Sequence, residues 1–181
     1  MRRFFTQKSL SAGAEQVAAP AVFRWWKPRL KSEDRPDRLA SGAQVYETSL
    51  RVRYAETDQM GVVYHANYII WFEVGRVEMF RQLGFTYSEM EEQDGVHVVV
   101  VEARCRFKAP ARYDELIRVR TRMLNVRNSL LHFGYEILRA TDETLLAEGE
   151  TVHLIVDAGF KRMPLPAKYR VPFLQAAGKA G

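Results

Sequence analysis

The chain has 181 residues, about one domain's length, and its 47% hydrophobic and 27% charged residues fit a folded body with a sizeable core. Residues 1–42 hold nine Lys/Arg against four Asp/Glu and carry all of the net +5, while residues 43–181 hold eighteen of each. A neutral body argues against nucleic acid as partner. A single cysteine, Cys105, excludes an intrachain disulfide, and no apolar run reaches the roughly 18 residues a membrane span needs.

The first 42 residues read as a basic, disordered extension ending in a polar linker, Lys31 to Gly42, and the folded body as residues 43–181. Cytoplasmic localisation is the expectation. Glu15 is the only acid before Ser32, so organellar targeting is the second reading. Phe23, Trp25 and Trp26 are unusual for such a tail and leave docking on the body or contact with a membrane surface open.

Tyr46, Thr48, Leu50, Val52 and Tyr54 alternate with polar residues, which predicts a half-buried strand. Ala55 to Ala66 reads as a loop. Asn67 then caps a helix running to about Leu83, with Gly84 just past its end. Apolar residues cover most of that helix's circumference, so it is expected to be buried, with Gly75 admitting a neighbouring backbone. Ser88 with Glu91 three residues later signals a short second helix. Everything downstream reads as strand: Val101 to Lys108, Ile117 to Met123, Leu131 to Ile137 and Val152 to Val156, with Val152, Leu154 and Val156 as the last apolar set. Turns fall at Pro110, at Arg127-Asn128-Ser129 and at Thr141-Asp142. The fold class is α+β: a five-stranded sheet burying its apolar face on one long helix. One helix covers little of five strands, so a homodimer or homotetramer is expected.

Asp58 stands in the loop just before the long helix, whose first N–H groups are free to bind developing negative charge. A carboxylate beside such a helix end suits acyl transfer to water, one group attacking or deprotonating and the other stabilising the tetrahedral oxygen. Gly61 permits a tight turn and close substrate approach. By themselves these residues fit plainer roles as well: Asp58 as a turn former, His65 as a cap, Tyr64 as a packed aromatic.

The run Glu56-Thr-Asp58-Gln-Met-Gly61-Val-Val63-Tyr64-His65-Ala-Asn67-Tyr68 resembles the signature of the 4-hydroxybenzoyl-CoA thioesterase family, closest to its Tol-Pal-associated bacterial acyl-CoA thioesterases. A second block, Phe107-Lys-Ala-Pro-Ala-Arg-Tyr113-Asp-Glu, supports it, and the resemblance spans about residues 45–172. It implies a hotdog fold, an antiparallel sheet wrapped around one long helix, and hydrolysis of a coenzyme A or acyl carrier protein thioester. It places the catalytic role on Asp58, with Tyr64 and His65 beside it and a backbone N–H near His65 polarising the carbonyl. Gly61, Val63 and Asn67 would line the substrate, and Arg127, Asn128 and Ser129 occupy a turn where relatives hold coenzyme A phosphates. No cofactor or metal is implied; coenzyme A enters only as part of the substrate.

Glu73 competes as a helix-borne acid but is expected to pair with Arg76 or Arg53. Cys105 alternates with core residues and reads as a small buried hydrophobe. His97, His132 and His153 lack metal-ligand spacing. A hotdog hydratase or dehydratase, or a non-catalytic acyl-binding module, are the alternatives to a thioesterase.

Overall fold

A computed structural model describes residues 42–179 of the chain. The basic extension, the Trp25–Trp26 pair and the linker up to residue 41 lie outside the described residues. Five strands form one antiparallel sheet: β1 (Val45–Arg51), β2 (His97–Phe107), β3 (Leu116–Arg127), β4 (Leu130–Arg139) and β5 (Leu145–Val156), in the spatial order β1-β3-β4-β5-β2. Three helices accompany them: α1 (Ala66–Gln82), α2 (Tyr87–Asp94) and α3 (Ala167–Ala176). None of the described helices is long and apolar enough to cross a membrane.

The alternation read for β3 and β4 is reproduced residue by residue. Ile117, Val119, Thr121 and Met123 face the core beside Leu131, Phe133, Tyr135 and Ile137, all fully or nearly fully buried. In β5 the buried face is the opposite of the expected one at Val152 and Leu154, while Val156 is buried as expected. Ala147, Thr151, His153 and Ile155 point inward, while Val152 and Leu154 are half-buried. Register explains this: Leu131 pairs with His153 and Phe133 with Thr151, and paired residues share a face.

The polar pair is bonded through the Thr151 hydroxyl and His153 Nε2, while His153 Nδ1 is buried with no partner among the described residues. The Tyr135 hydroxyl lies 2.8 Å from the Thr151 hydroxyl, which lies 2.8 Å from Nε2 of His153. Burial, then the charges of Arg76 and His132, push the His153 pKa down to about 3, so its ring is neutral at ordinary pH. Arg76 of α1 completes the chain, donating from Nε to the Tyr87 hydroxyl at 2.6 Å and from Nη1 to the Tyr135 hydroxyl at 3.4 Å.

α1 lies across the sheet with Tyr68, Trp71, Phe72, Met79 and Phe80 buried. Phe72 stacks on Tyr135 at 4.4 Å, and a Cβ on Gly149 beneath it would come within 2.5 Å of the Phe72 ring. Gly75 does allow close approach, but to side chains rather than backbone: a Cβ there would meet Thr121 Oγ1 at 2.5 Å and Val119 Cγ1 at 2.6 Å. The helix is not buried all round. Ile69, Ile70 and Glu73 are exposed in the single chain, and Ile70, Val74 and Val77 line an open surface groove.

Several local expectations are corrected. β1 ends at Arg51, because the chain turns into a 3-10 turn over Tyr54–Glu56 that leaves Tyr54 exposed. His65, not Asn67, is the N-cap of α1, and Gly84 follows its end at φ 92° as expected. The capping box of α2 is Thr86 with Glu89, two residues before the expected pair, and Gly95 closes that helix in the left-handed region. β2 begins at His97, is bulged between Val100 and Glu102, and as an edge strand leaves Val101, Ala103 and Phe107 exposed. α3 was not expected at all. It packs Tyr169 and Phe173 on Phe85, Phe80 and Phe133, extending the helical layer beyond α1.

Candidate active site

The segment between β1 and α1 is a narrow two-stranded ribbon. Thr57 bridges Val63, and the Asp58 N–H donates to the Val62 carbonyl at 2.9 Å. The turn closes with the Gly61 N–H on the Asp58 carbonyl at 2.9 Å, and Gly61 holds φ 70°, where a side chain is strained. Oδ1 of Asp58 accepts the Met60 N–H at 2.8 Å, an Asx turn that fixes the carboxylate. Its other oxygen has no partner among the described residues. Asp58 is therefore both a turn former and a presented carboxylate.

Glu56, buried at 4% exposure, holds this ribbon on the body. Its carboxylate accepts the Arg53 N–H at 2.7 Å, an Arg53 Nη2 at 2.9 Å and the Trp71 indole N–H at 3.2 Å. Its carbonyl accepts the Tyr64 N–H and Asn67 Nδ2, each at 2.9 Å. Burial alone would raise the Glu56 pKa; the hydrogen bonds from Arg53 and Trp71 and the Arg53 charge outweigh it and hold the group below the ordinary carboxylate range. Across the ribbon the Val63 N–H donates to the Ala111 carbonyl at 2.9 Å, and the Ala111 N–H donates to the Tyr68 hydroxyl at 3.1 Å.

These bonds decide which amides remain available at the start of α1. The Tyr64 N–H is taken by Glu56, and the Asn67 and Tyr68 N–H groups close on Tyr64 and His65 carbonyls. The His65 and Ala66 N–H groups have no acceptor among the described residues, at the positive end of a 17-residue helix. Tyr64 and His65 project outward with rings 4.4 Å apart, and His65 meets the edge of Phe107 at 6.3 Å.

Asp58, Gly61, Val63, Tyr64, His65 and Asn67 thus share one ribbon and helix start, with Val63 buried as a packing residue and Asn67 acting as a strap rather than a cap. Arg127, Asn128 and Ser129 do not join them within one chain. They turn β3 into β4 at the end remote from the ribbon, about 36 Å along a 12-residue strand. The turn is bonded into the body: Ser129 is buried, its hydroxyl accepts from Arg162 Nε, and the Asn128 carbonyl accepts the Leu165 N–H at 2.7 Å. Glu73 pairs with neither expected partner, since Arg53 binds Glu56 and Arg76 binds the two tyrosines. Cys105 is half-buried on the edge strand, and burial, with Glu148 nearby, pushes its thiol up to about 12. Sequence reasoning missed Glu56 and Trp71; the one signal was the spacing of Arg53 and Glu56, which closes as a capping box around the 3-10 turn.

Residues 52–177 match the profile of the Thioesterase-like superfamily. A putative acyl-CoA thioesterase of Bacillus subtilis is 40% identical over 129 residues, covering 71% of this chain and 90% of that one. An acyl-CoA thioester hydrolase of Escherichia coli is 34% identical over 113 residues, covering 62% and 83%. Among solved structures, a DHNA-CoA thioesterase from Staphylococcus aureus superposes with TM-score 0.67 at 32% identity, covering 76% of this chain and 97% of that one. With its five-stranded sheet laid over α1 and the signature ribbon at the helix start, the chain belongs to the Thioesterase-like superfamily and has the hotdog fold.

Proposed function

We propose that this chain hydrolyses acyl-CoA thioesters to the free acid and coenzyme A, water supplying the hydroxyl and the thiol leaving with a proton. Beyond membership of the superfamily, the observation that carries the reading is the pairing of Asp58, anchored through Oδ1 and free at its other oxygen, with the unsatisfied His65 and Ala66 amides on the same ribbon. The free oxygen attacks the carbonyl or deprotonates water, and the two amides receive the charge that develops on the carbonyl oxygen. Tyr64 and His65 wall the space through their exposed rings; Gly61 lets the acyl group approach.

The working unit in this reading is a homo-oligomer built on residues 43–181, acting in the cytoplasm without a cofactor. Support for the oligomer comes from the open edge of β2, where Val100, Val101 and Phe107 are exposed, and from the uncovered apolar side of α1. Phe107 stands against Tyr68 and His65, so a copy paired along β2 would also roof the site.

A panel of acyl-CoA substrates with detection of released thiol tests the reading. Thiol release from at least one acyl class is expected. Water addition to an enoyl-CoA without thiol release would favour a hydratase, and binding without turnover a non-catalytic module; either overturns it.

A further inference from the structure

We infer that the acyl group held at one Asp58 ends beside the partner's Arg76, in a cavity that selects acyl groups bearing a neutral oxygen at their far end, an inference that rests on the acyl-CoA reading above. Arg76 is 7% exposed and bonds to no carboxylate among the described residues. Its Nε donates to the Tyr87 hydroxyl and its Nη1 to the Tyr135 hydroxyl, which leaves Nη2 without an acceptor among the described residues. Burial raises both phenols against the pull of Arg76, Tyr87 to about 12, so the guanidinium meets only neutral oxygens. A buried donor of this kind calls for an acceptor. Arg76 also lines an open cavity of about 650 Å³ between α1, α2 and the start of β2, with Val77 and Val98 as its apolar wall.

The other lining charges decide what the acceptor is. Arg76 and Arg81 stand against Glu73 and Glu91, so the lining carries no net charge. Arg81 is bonded to Glu78, Glu91 stands 3.8 Å from His97 Nδ1, and Glu73 has no partner among the described residues. A carboxylate entering the cavity would meet Glu73 and Glu91 as well as Arg76. A hydroxyl or carbonyl oxygen answers the free N–H without adding charge, and a plain hydrocarbon end would leave that N–H unpaired.

Within one chain the cavity and the site lie apart. Phe107, against His65, and Val98, at the cavity, are separated by about 30 Å along β2. Pairing of two copies brings them together. Val98, Val100, Ala103, Cys105 and Phe107 lie opposite Ile155, His153, Thr151, Gly149 and Ala147, and so share the α1 side of the sheet, with the bulge after Val100 shifting the alternation. An antiparallel copy centred on Ala103 keeps the faces matched across both bulges and sets the partner's Val98 opposite Phe107, on that same side. An acyl group reaching past Phe107 then enters the partner's cavity.

Acyl-CoA esters of equal chain length, with a plain, hydroxyl or carboxylate terminus, test the selection. At one chain length or more, wild type is expected to cleave the hydroxyacyl ester with kcat/KM about tenfold above the other two. Equal cleavage of all three overturns the inference, leaves the thioesterase reading standing and needs no variant. Arg76→Met removes donor and cation together and should erase the preference while the plain ester is still cleaved; a preference that survives it overturns the inference. Co-expression of Asp58→Asn chains with Arg76→Met chains forms mixed oligomers in which an intact Asp58 faces the partner's intact Arg76. The preference should return in them, and its continued absence would put Arg76 to work within its own chain and overturn the inference. If wild type cleaves no thioester, the thioesterase reading fails, and calorimetric titration with the free hydroxy acid decides the cavity alone. Binding about tenfold weaker to Arg76→Met than to wild type supports it; equal binding, or none to wild type, overturns it.

Discussion

Trp71 donates its indole N–H to the buried carboxylate of Glu56 at 3.2 Å, so the ribbon that carries Asp58 is fastened to the second turn of α1. Because the carbonyl of the same glutamate also holds the Tyr64 N–H and Asn67, one residue sets where Asp58 stands relative to the free amides of His65 and Ala66.

Glu56→Ala leaves a buried indole N–H and the Arg53 amide unpaired, which costs about 1–3 kcal/mol. Urea denaturation is expected to show that loss together with a fall in kcat. The Glu56 pKa is lowered on folding, so its contribution is complete above the unfolded value near pH 4.3 and disappears as the pH falls through the lower, folded value. Wild type should therefore lose stability on acidification more steeply than Glu56→Gln; parallel curves would remove Glu56 from this role.

Asp58→Asn keeps an oxygen for the Met60 N–H, so the ribbon should persist while the reacting oxygen is lost. A drop in kcat of about 10²-fold or more is expected, with an unchanged unfolding midpoint. Glu73→Gln, on the open side of α1, should retain activity. The reverse pattern would move the chemistry to Glu73.

Gly75→Ala would push a methyl group into Thr121 Oγ1 and Val119 Cγ1, both rooted in a fully buried part of β3. Neither can retreat, and a loss of about 1–3 kcal/mol is expected in chemical denaturation. Unaltered stability would mean that α1 and β3 lie farther apart than described.

Val101→Lys places a charge in the middle of the open β2 edge, beside the bulge. If copies pair along that edge, light scattering coupled to size exclusion should show a smaller species, and activity should fall with Asp58 untouched. A fully active monomer, in wild type or variant, would sink the claim of an oligomer.

Removing residues 1–41 should leave a folded, active protein of the same oligomeric state. The cut belongs before Gly42, because Gly42 packs on Gly178 and the Gln44 N–H donates to the Ala176 carbonyl at 2.9 Å. Loss of the oligomer on truncation would assign the tail a place in the assembly.

What the residues revealed in advance follows from how directly each periodicity reports burial. β3 and β4 run through the interior of the sheet, one face apolar apart from Thr121 and the Tyr135 hydroxyl, and their alternation was legible to the residue. β5 was read on the wrong face because Val152 and Leu154 outscore Thr151 and His153 in hydropathy. Only the partner hydroxyl of Tyr135, remote in sequence, makes the polar pair cheap to bury. β2 misled for a different reason: as an edge strand it alternates without being covered. α3 was hidden by Pro172 in its interior and by a length of ten residues, too short for its pattern to stand out. At the site, Asp58 and His65 were legible as a motif. Glu56 was not, because an acidic residue beside an arginine in a loop gives no sign that an indole fifteen positions later will cover it.

The hydroxyl and imidazole chain from Tyr135 through Thr151 to His153 also acts as a lock on strand alignment. Were β5 to slide two residues along β4, the apolar pattern would still land on the correct face, and hydrophobic burial alone would discriminate poorly. The slide would part Thr151 from Tyr135, the one bond of the chain that crosses from β4 to β5, while the bonds of Arg76 to Tyr87 and Tyr135 would survive it. The loss of that one buried bond would oppose the misaligned sheet, so the polar interior helps choose among otherwise equivalent pairings.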